Sequence, residues 1–433
     1  AMARRDGSTG FAGMRIVGAM EERAGTRSWD RVAIAIVDKV QREGAYASTA
    51  IADAFREKTY AADARRSIAR AVSALLRRGR SASILAYDAQ ERLEFARAID
   101  AGDPAAIDRL WQAASTVQGR AAQLGVSSSI PDALAAALIA DYGDEADALA
   151  HALSMAPPTI LRTNAAKIDR DALLDELRHD GVSCRANDAT AHAIEVDDRP
   201  HDLFETAAFR EGRFEVQDAG SQLVAECVAP PPGGLVVDAC AGEGGKALAI
   251  AATMSGRGRI VATDVSATKL EALKKRARRA DARNVQTIAI DADGPLPDPL
   301  LKLLGKVDRV LVDAPCSGTG SLRRNPEAKR RDGFDDFDRY PPIQRAIVER
   351  FLPLVRPGGR LVYATCSLLA RENARVVEAT MAAHPELEAM RVVQLWGRAR
   401  GERWSDATGT YLAARPDRHG TDGLFAAILR RRN

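Results

Sequence analysis

The 433-residue sequence is short of aromatics, histidine and pairable cysteines, and each shortage excludes something. Phenylalanine, tryptophan and tyrosine make up 5% of the chain, too few to furnish an exposed aromatic sheet on which bases stack. Six histidines fall in no metal-ligand spacing, so no metal is expected. The five cysteines (184, 227, 240, 316, 366) are odd in number and irregularly spaced. That is neither a disulfide framework nor a zinc signature, and it suits a reducing cytosol. No apolar run approaches the roughly 18–20 residues of a membrane span, and the start, Ala1-Met2-Ala3-Arg4-Arg5-Asp6-Gly7, lacks the apolar stretch of a secretory signal. A cytoplasmic protein with no membrane partner is the expectation. Net charge is only +3, so the chain as a whole is no polycation, and any nucleic-acid partner must meet a local basic patch. What remains is ordinary globular material, 46% hydrophobic and 28% charged, long enough for two or three domains.

Three segments differ in pattern. Residues 1–150 read as an all-helical domain: Ala33, Ile36, Val37 and Val40 recur at helical spacing, as do Ile68, Val72, Leu75 and Leu76. Within it Arg65, Arg66, Arg70, Arg77, Arg78 and Arg80 form a basic run without an acid, either a solvated helix face or a face that contacts phosphates. Residues 151–216, opened by Pro157-Pro158, read as a small α+β module with strands at Thr159–Thr163 and near Ala191–Val196 and a helix over Arg170–Leu177. Residues 217–433 alternate short apolar strands with helix-length segments. The strands are Leu235–Cys240, Arg259–Asp264, Val285–Asp291, Val307–Asp313 and Gly359–Thr365. This is the pattern of a doubly wound parallel sheet, whose ligands bind outside the carboxyl ends of the strands.

The residues that carry chemistry fall at those ends. The turn Cys240-Ala241-Gly242-Glu243-Gly244-Gly245-Lys246 follows one strand and opens a helix, so its backbone approaches a ligand closely and the helix amino end favours negative groups. Asp264 ends the next strand, where a carboxylate accepts ribose hydroxyls. Asp291 ends the third and suits either an adenine amino group or a helix cap. The glycines do not give the full Gly-x-Gly-x-x-Gly register of a nicotinamide site, which favours S-adenosylmethionine. Two further strands end in Asp313-Ala-Pro-Cys316-Ser-Gly and Tyr363-Ala-Thr-Cys366-Ser. Carbon 5 of cytosine is a poor nucleophile until a thiolate adds at carbon 6 and makes the ring an enamine, so paired cysteines beside a cofactor turn fit a methyl transfer of that kind. Asp313 is placed to bond the cytosine amino group and ring nitrogen 3. A reactive thiolate needs positive surroundings, for which Arg323, Arg324, Lys329, Arg330 and Arg331 stand in the loop after Cys316, where they also suit phosphates.

At these residues the chain resembles the RNA (cytosine-5) methyltransferase family, the Sun-type enzymes. The resemblance is carried by Asp313-Ala-Pro-Cys-Ser-Gly-Thr-Gly320, Arg323-Arg-Asn-Pro-Glu327, Tyr363-Ala-Thr-Cys-Ser367, Gln217-Asp218, Gly420-Thr-Asp-Gly-Leu-Phe425 and Pro157-Pro-x-x-Leu161-Arg162-x-Asn164, and it spans roughly residues 130–433. It implies a Rossmann-like domain that binds S-adenosylmethionine through Cys240–Lys246, Asp264, Asp291 and Asp313. It also implies Cys366 as nucleophile, Cys316 as the thiol that assists release, and an RNA substrate. The helical start resembles the NusB-like domain of the family's bacterial small-subunit ribosomal RNA member. That points to ribosomal RNA as partner, with Arg65, Arg66, Arg70, Arg323 and Arg324 as phosphate contacts and a monomer as the favoured state. Transfer RNA as substrate, or an RNA-binding assembly factor without catalysis, are the alternatives. The turn departs from the family's usual Cys-Ala-Ala-Pro-Gly-Gly-Lys-Thr, with Gly242-Glu243 in place of Ala-Pro and Ala247 in place of Thr.

Overall fold

In the computed structural model, residues 12–197 and 203–433 are described, with side chains from residue 28 onward. The chain divides into two compact units. One comprises the residues up to Asp132 together with Asn325–Asp332, and the other comprises Ala133–Arg324 and Gly333–Asn433. The helices Asp132–Tyr142 and Ala146–Leu153, read from sequence as the end of the helical domain, therefore belong with the second unit.

The first unit is helical throughout its described residues. Ala33, Ile36, Val37 and Val40 of the helix Ala12–Glu43 pack on Ile68, Val72, Leu75 and Leu76 of the helix Ala62–Leu85, with Leu93 closing the cluster. Those are the positions whose spacing foretold the helices. Asp88 and Asp103 cap the next two helices, the second with Pro104 at its first turn, where a missing N–H costs nothing.

The second unit holds two sheets. The smaller is antiparallel, in the order β2-β3-β1-β4, from β1 (Thr159–Thr163), β2 (Cys184–Ala186), β3 (Ala193–Val196) and β4 (Phe214–Val216), backed by the helix Arg170–His179. The larger contains β5 (Leu235–Asp238), β6 (Arg259–Asp264), β7 (Val285–Ala289), β8 (Val307–Asp313), β9 (Val355–Thr365), β10 (Leu387–Met390), β11 (Leu412–Ala414) and β12 (Leu424–Arg431). Its order is β10-β12-β9-β8-β5-β6-β7, with β11 also paired to β12. From β7 to β9 neighbouring strands are parallel. The sheet is not parallel throughout: β12 runs antiparallel to β9, β10 and β11.

Alternate residues of each central strand enter opposite cores, as the pleat requires. Val236, Ile260, Ala262, Leu311 and Val362 meet the helices Ala219–Val228 and Gly245–Met254 on one face. Val237, Val261, Val310, Val312 and Leu361 meet Val348, Phe351 and Val376 on the other. With both faces covered, the strands read as continuous apolar runs, which is why sequence located β6 and β8 to the residue. No single helix among the described residues is long and apolar enough to cross a membrane.

Candidate active site

The parallel strand order reverses between β5, flanked by β6 and β7 on one side, and β8, flanked by β9 on the other. A crevice at the carboxyl ends is expected at such a reversal. Asp238, Asp264, Asp313 and Cys366 lie at or just beyond the carboxyl ends of β5, β6, β8 and β9.

The turn after β5 has the backbone that its glycines permit. Gly242 and Gly244 have φ of 54° and 84°, and a Cβ on Gly244 would lie 2.5 Å from Leu273. A Cβ on Gly242 would meet nothing within 4 Å, so the turn leaves open space there for a ligand to approach the backbone. Asp264 steadies the turn: one carboxylate oxygen accepts from the Gly242 N–H at 2.9 Å and the other from Ser266 N–H at 2.8 Å. Each oxygen keeps a further lone pair for a ligand hydroxyl. Below the turn, Arg162 of β1 donates to Gln217 at 2.5 Å and to the Gly245 carbonyl at 2.7 Å. The side chain of Glu243, the acid in the family's proline position, is exposed, and its carbonyl accepts from Arg276.

Lys246 reaches from the start of the helix to Asp313, with Nζ 2.6 Å from Oδ2. Burial opposes its charge, but Asp313 and the neighbouring Cys366 outweigh that and raise its pKa. Asp238 is buried, with one carboxylate oxygen lacking any hydrogen-bond partner. Burial, then the nearby charge of Asp313, pushes its pKa up to about 7. An orphaned acceptor, the remaining lone pairs of Asp264 and open space beside the glycine turn make a set of acceptors that fits a polar, cationic nucleotide-like cofactor.

The two sulfurs, Cys316 Sγ and Cys366 Sγ, lie 3.2 Å apart. A hydrogen bond from Cys316 favours the thiolate of Cys366 and lowers its pKa against the cost of burial and of Asp313, with Lys246 assisting. The same bond, with burial and the charges of Cys366 and Glu372, holds Cys316 as a thiol. The loops that carry them are joined further: Gly320 N–H donates to the Cys366 carbonyl at 2.9 Å, and Gly423 N–H to the Gly320 carbonyl at 2.8 Å. Gly320 and Gly423 approach so closely that a Cβ on Gly320 would stand 2.1 Å from the Gly423 oxygen.

The sequence-derived site is thus partly assembled and partly dispersed. Cys316, Cys366, Asp313 and Lys246 meet; Cys240 is partly buried behind the turn, and burial raises its thiol pKa. Asp291 lies exposed past the end of β7. Arg323 and Arg324, expected on phosphates, instead bind Asp218 and Asp422. Arg323 Nε meets Asp422 at 2.7 Å, and Arg324 bridges Asp422 at 2.6 Å and Asp218 at 2.8 Å. Both guanidiniums are spent on acids far away in sequence. Lys329, Arg330 and Arg331 likewise belong to the helical unit. Lys329 is buried, donating to the carbonyls of Arg77 and Ser129, Arg330 lies over Gly79, and Arg331 stacks on Tyr46. The cation beside Cys366 is therefore Lys246. In the basic run, Arg77 and Arg78 pair with Asp100 and Arg80 with Asp132. Arg65 and Arg70 are exposed, and Arg66 is half-buried with one Nη lacking a hydrogen-bond partner. From the sequence, Asp238 heads the glycine-rich segment without a role of its own and Glu372 is not singled out; the aspartate's position at the end of an apolar strand is the only signal of either.

A family model described as 16S rRNA methyltransferase RsmB/F matches residues 225–430, and a model for an RsmF/B-like ferredoxin-like domain matches residues 130–201. The "Probable ribosomal RNA small subunit methyltransferase B" of Bacillus subtilis is 32% identical over 317 residues, covering 72% of this chain and 68% of that protein. The chain belongs to the RsmB/F methyltransferase family. A second RsmB/F relative, ribosomal RNA small subunit methyltransferase B of Xanthomonas campestris, is 32% identical over 69% of this chain and 66% of its own. Among solved structures, PH0851 superposes with a TM-score of 0.75 at 23% identity, over 92% of this chain and 98% of that one. NSun6 from Pyrococcus horikoshii, solved with SFG, gives 0.60 at 21% identity, over 70% and 98%. Likeness at this identity establishes the shared fold. The antiparallel β1–β4 sheet with its helix lies largely in the stretch that the ferredoxin-like model matches, and β5–β9 form the Rossmann-like core of the methyltransferase domain.

Proposed function

We propose that this RsmB/F methyltransferase forms 5-methylcytosine in small-subunit ribosomal RNA through a covalent cysteine–cytosine adduct. The observation that carries the reading is the pair of sulfurs 3.2 Å apart, beside the Lys246–Asp313 pair, at the point where the strand order reverses. In this reading the backbone of Cys240–Lys246, Asp264 and Asp291 hold S-adenosylmethionine, which when bound supplies an electrophilic methyl group. Asp313 accepts from the cytosine amino group and shares a proton with ring nitrogen 3, offsetting the charge that builds there. The Cys366 thiolate forms a bond to carbon 6, and the ring's electron pair shifts to carbon 5, which then takes the methyl group. A base removes the carbon 5 proton, and the electrons left behind expel the Cys366 thiolate and restore the ring. Cys316 rests as a thiol and assists that release; the base is water or Cys316 once deprotonated. Metal plays no part in this scheme. The exposed Arg65 and Arg70, with Arg66, make the NusB-like helical unit's contact with RNA phosphates.

The test uses Cys316→Ala expressed in cells, purified under denaturing conditions, with attached RNA sequenced. An adduct at one cytosine of 16S rRNA is expected. An adduct to transfer RNA changes the substrate and keeps the chemistry. Folded protein with no adduct, Cys366 being intact, overturns the reading in favour of an RNA-binding assembly factor.

A further inference from the structure

A buried carboxylate lies behind the two cysteines, and the chemistry above makes no use of it. Glu372 ends the short helical turn Ala370–Glu372 and is fully buried. Its Oε1 accepts from the Ser317 hydroxyl at 2.5 Å and the Ser367 hydroxyl at 2.6 Å. Its Oε2 accepts from the Ser317 N–H at 2.8 Å and the Gln344 amide at 3.1 Å. Every one of these donors is neutral. Ser317 follows Cys316 and Ser367 follows Cys366, so a single side chain grips the loops of β8 and β9 by the residue next to each sulfur.

The surroundings hold that grip in place. The Gln344 amide also donates to the Pro315 carbonyl at 3.1 Å, on the other side of Cys316. The Thr319 hydroxyl lies 3.3 Å from that of Ser367 and accepts from Leu368 N–H at 2.9 Å. Tyr363 donates its hydroxyl to the Glu372 carbonyl at 2.5 Å, and Asn373 joins the Thr365 hydroxyl to the Ser367 carbonyl. A carboxylate buried without a cation is costly and persists only where hydrogen bonds replace its water. Here its four donors come from three separate segments that meet beneath the sulfurs. A carboxylate that merely capped its own turn would bind local backbone, whereas of these partners only Ser367 is near in sequence, and Gln344 and Ser317 lie 28 and 55 residues away.

We propose that Glu372 is the positioning residue that fixes the separation of Cys316 and Cys366, by clamping Ser317 and Ser367 to one carboxylate. The proposal rests on the reading that both thiols act on one pyrimidine ring, because only then does their spacing matter to turnover. Misplacement of reacting groups by about 1 Å costs on the order of 10²-fold in rate.

Glu372→Gln tests it, since one acceptor becomes a donor facing groups that themselves donate. The first readout does not involve methylation: the apo protein is equilibrated in glutathione buffer and Cys316–Cys366 pairing is read by peptide mass mapping. In that exchange two thiols and oxidised glutathione give the protein disulfide and two reduced glutathiones. Glu372→Gln is expected to lower the pairing constant at least about tenfold, the signature of lost proximity. Ser367→Ala, which removes one of the four donors to Glu372 together with the hydroxyl's bond from Leu369 N–H and keeps the carboxylate, is expected to lower it less, and calorimetry should place S-adenosylmethionine affinity within about twofold for both. The second readout is kcat against KM for methyl transfer, with the loss confined to kcat. Should Glu372→Gln fail to fold, Ser367→Ala decides. Variants that pair as well as the wild type, or a wild type whose two cysteines do not pair, overturn the proposal whatever methylation does. A pairing loss in a protein that methylates no cytosine upholds the clamp and defeats the cytosine reading instead.

Discussion

Two groups of aspartates in the same unit meet their counter-charges in opposite ways. Asp218 and Asp422 face Arg323 and Arg324, and every carboxylate oxygen has a donor, the Gly220 N–H completing the set. Of Asp238, Asp264 and Asp313 only Asp313 pairs with a cation, Lys246; Asp264 accepts from backbone N–H groups, and an oxygen of Asp238 has no hydrogen-bond partner. The first group is electrostatically closed and fastens the segment after Cys316 to β12's leading loop. The second leaves a buried acceptor without a donor, and burial, then the charge of Asp313, raises the pKa of that Asp238 carboxyl. A closed cluster serves stability, whereas an open one is completed by what it binds.

The largest effect that tests this contrast lies at the open group's edge. Cys366→Ala is expected to abolish methyl transfer, measured with labelled S-adenosylmethionine, while calorimetric cofactor affinity stays within a few fold. Retained turnover removes Cys366 from the chemistry. At the closed group, Asp422→Ala removes the carboxylate partner of buried Arg323 Nε and one of the two carboxylates that hold half-buried Arg324, and should cost about 3–5 kcal/mol in urea denaturation. Asp313→Asn, at the open group, keeps an oxygen that still accepts from Lys246 and should cost less than Asp422→Ala, with turnover lost. Equal stability losses at Asp422 and Asp313 would break the comparison.

A third expectation concerns pH. Folded Asp238 keeps its proton up to about pH 7, whereas the unfolded chain releases it near its ordinary 3.8. The folded state thus binds more protons in that window. Stability of the apo protein is full below the ordinary value, declines as pH rises through the window, and is flat above it. The decline is at most about 4 kcal/mol, and Asp238→Asn should remove it, as thermal melts at pH 5 and pH 8 would show. A slope unchanged in the variant places the titration elsewhere. The smallest effect belongs to the helical unit: Arg65→Ala with Arg70→Ala should flatten the salt dependence of RNA binding by about 0.7–0.9 per lost phosphate contact. Stability should change by less than about 0.5 kcal/mol. An unchanged salt slope would move the RNA face elsewhere.

The parallel core was legible because strands buried on both faces are apolar runs bounded by turns, as in Val307–Asp313. β12 was not: Leu424–Arg431 carries the same kind of apolar run, but its direction and its place beside β9 depend on pairing that no local pattern encodes. Cys316 and Cys366 could be picked out because each closes a strand, and their closeness follows from β8 and β9 being neighbours.

The sequence by itself determined the helical character of the first unit and two of its packed helix faces, the five parallel strands and the residues at their carboxyl ends, since periodicity and strand-end position are local properties. It could not separate an arginine that faces solvent from one that faces an aspartate a hundred positions away. Arg65 and Arg78 look alike along the chain, yet one is exposed and the other buried against Asp100. Only the tertiary structure decided which charges were neutralised, which lysine stood beside Cys366, and that Glu372 held both cysteine loops. Those outcomes depend on distances between segments remote in sequence, and electrostatic and hydrogen-bond energies are set by those distances.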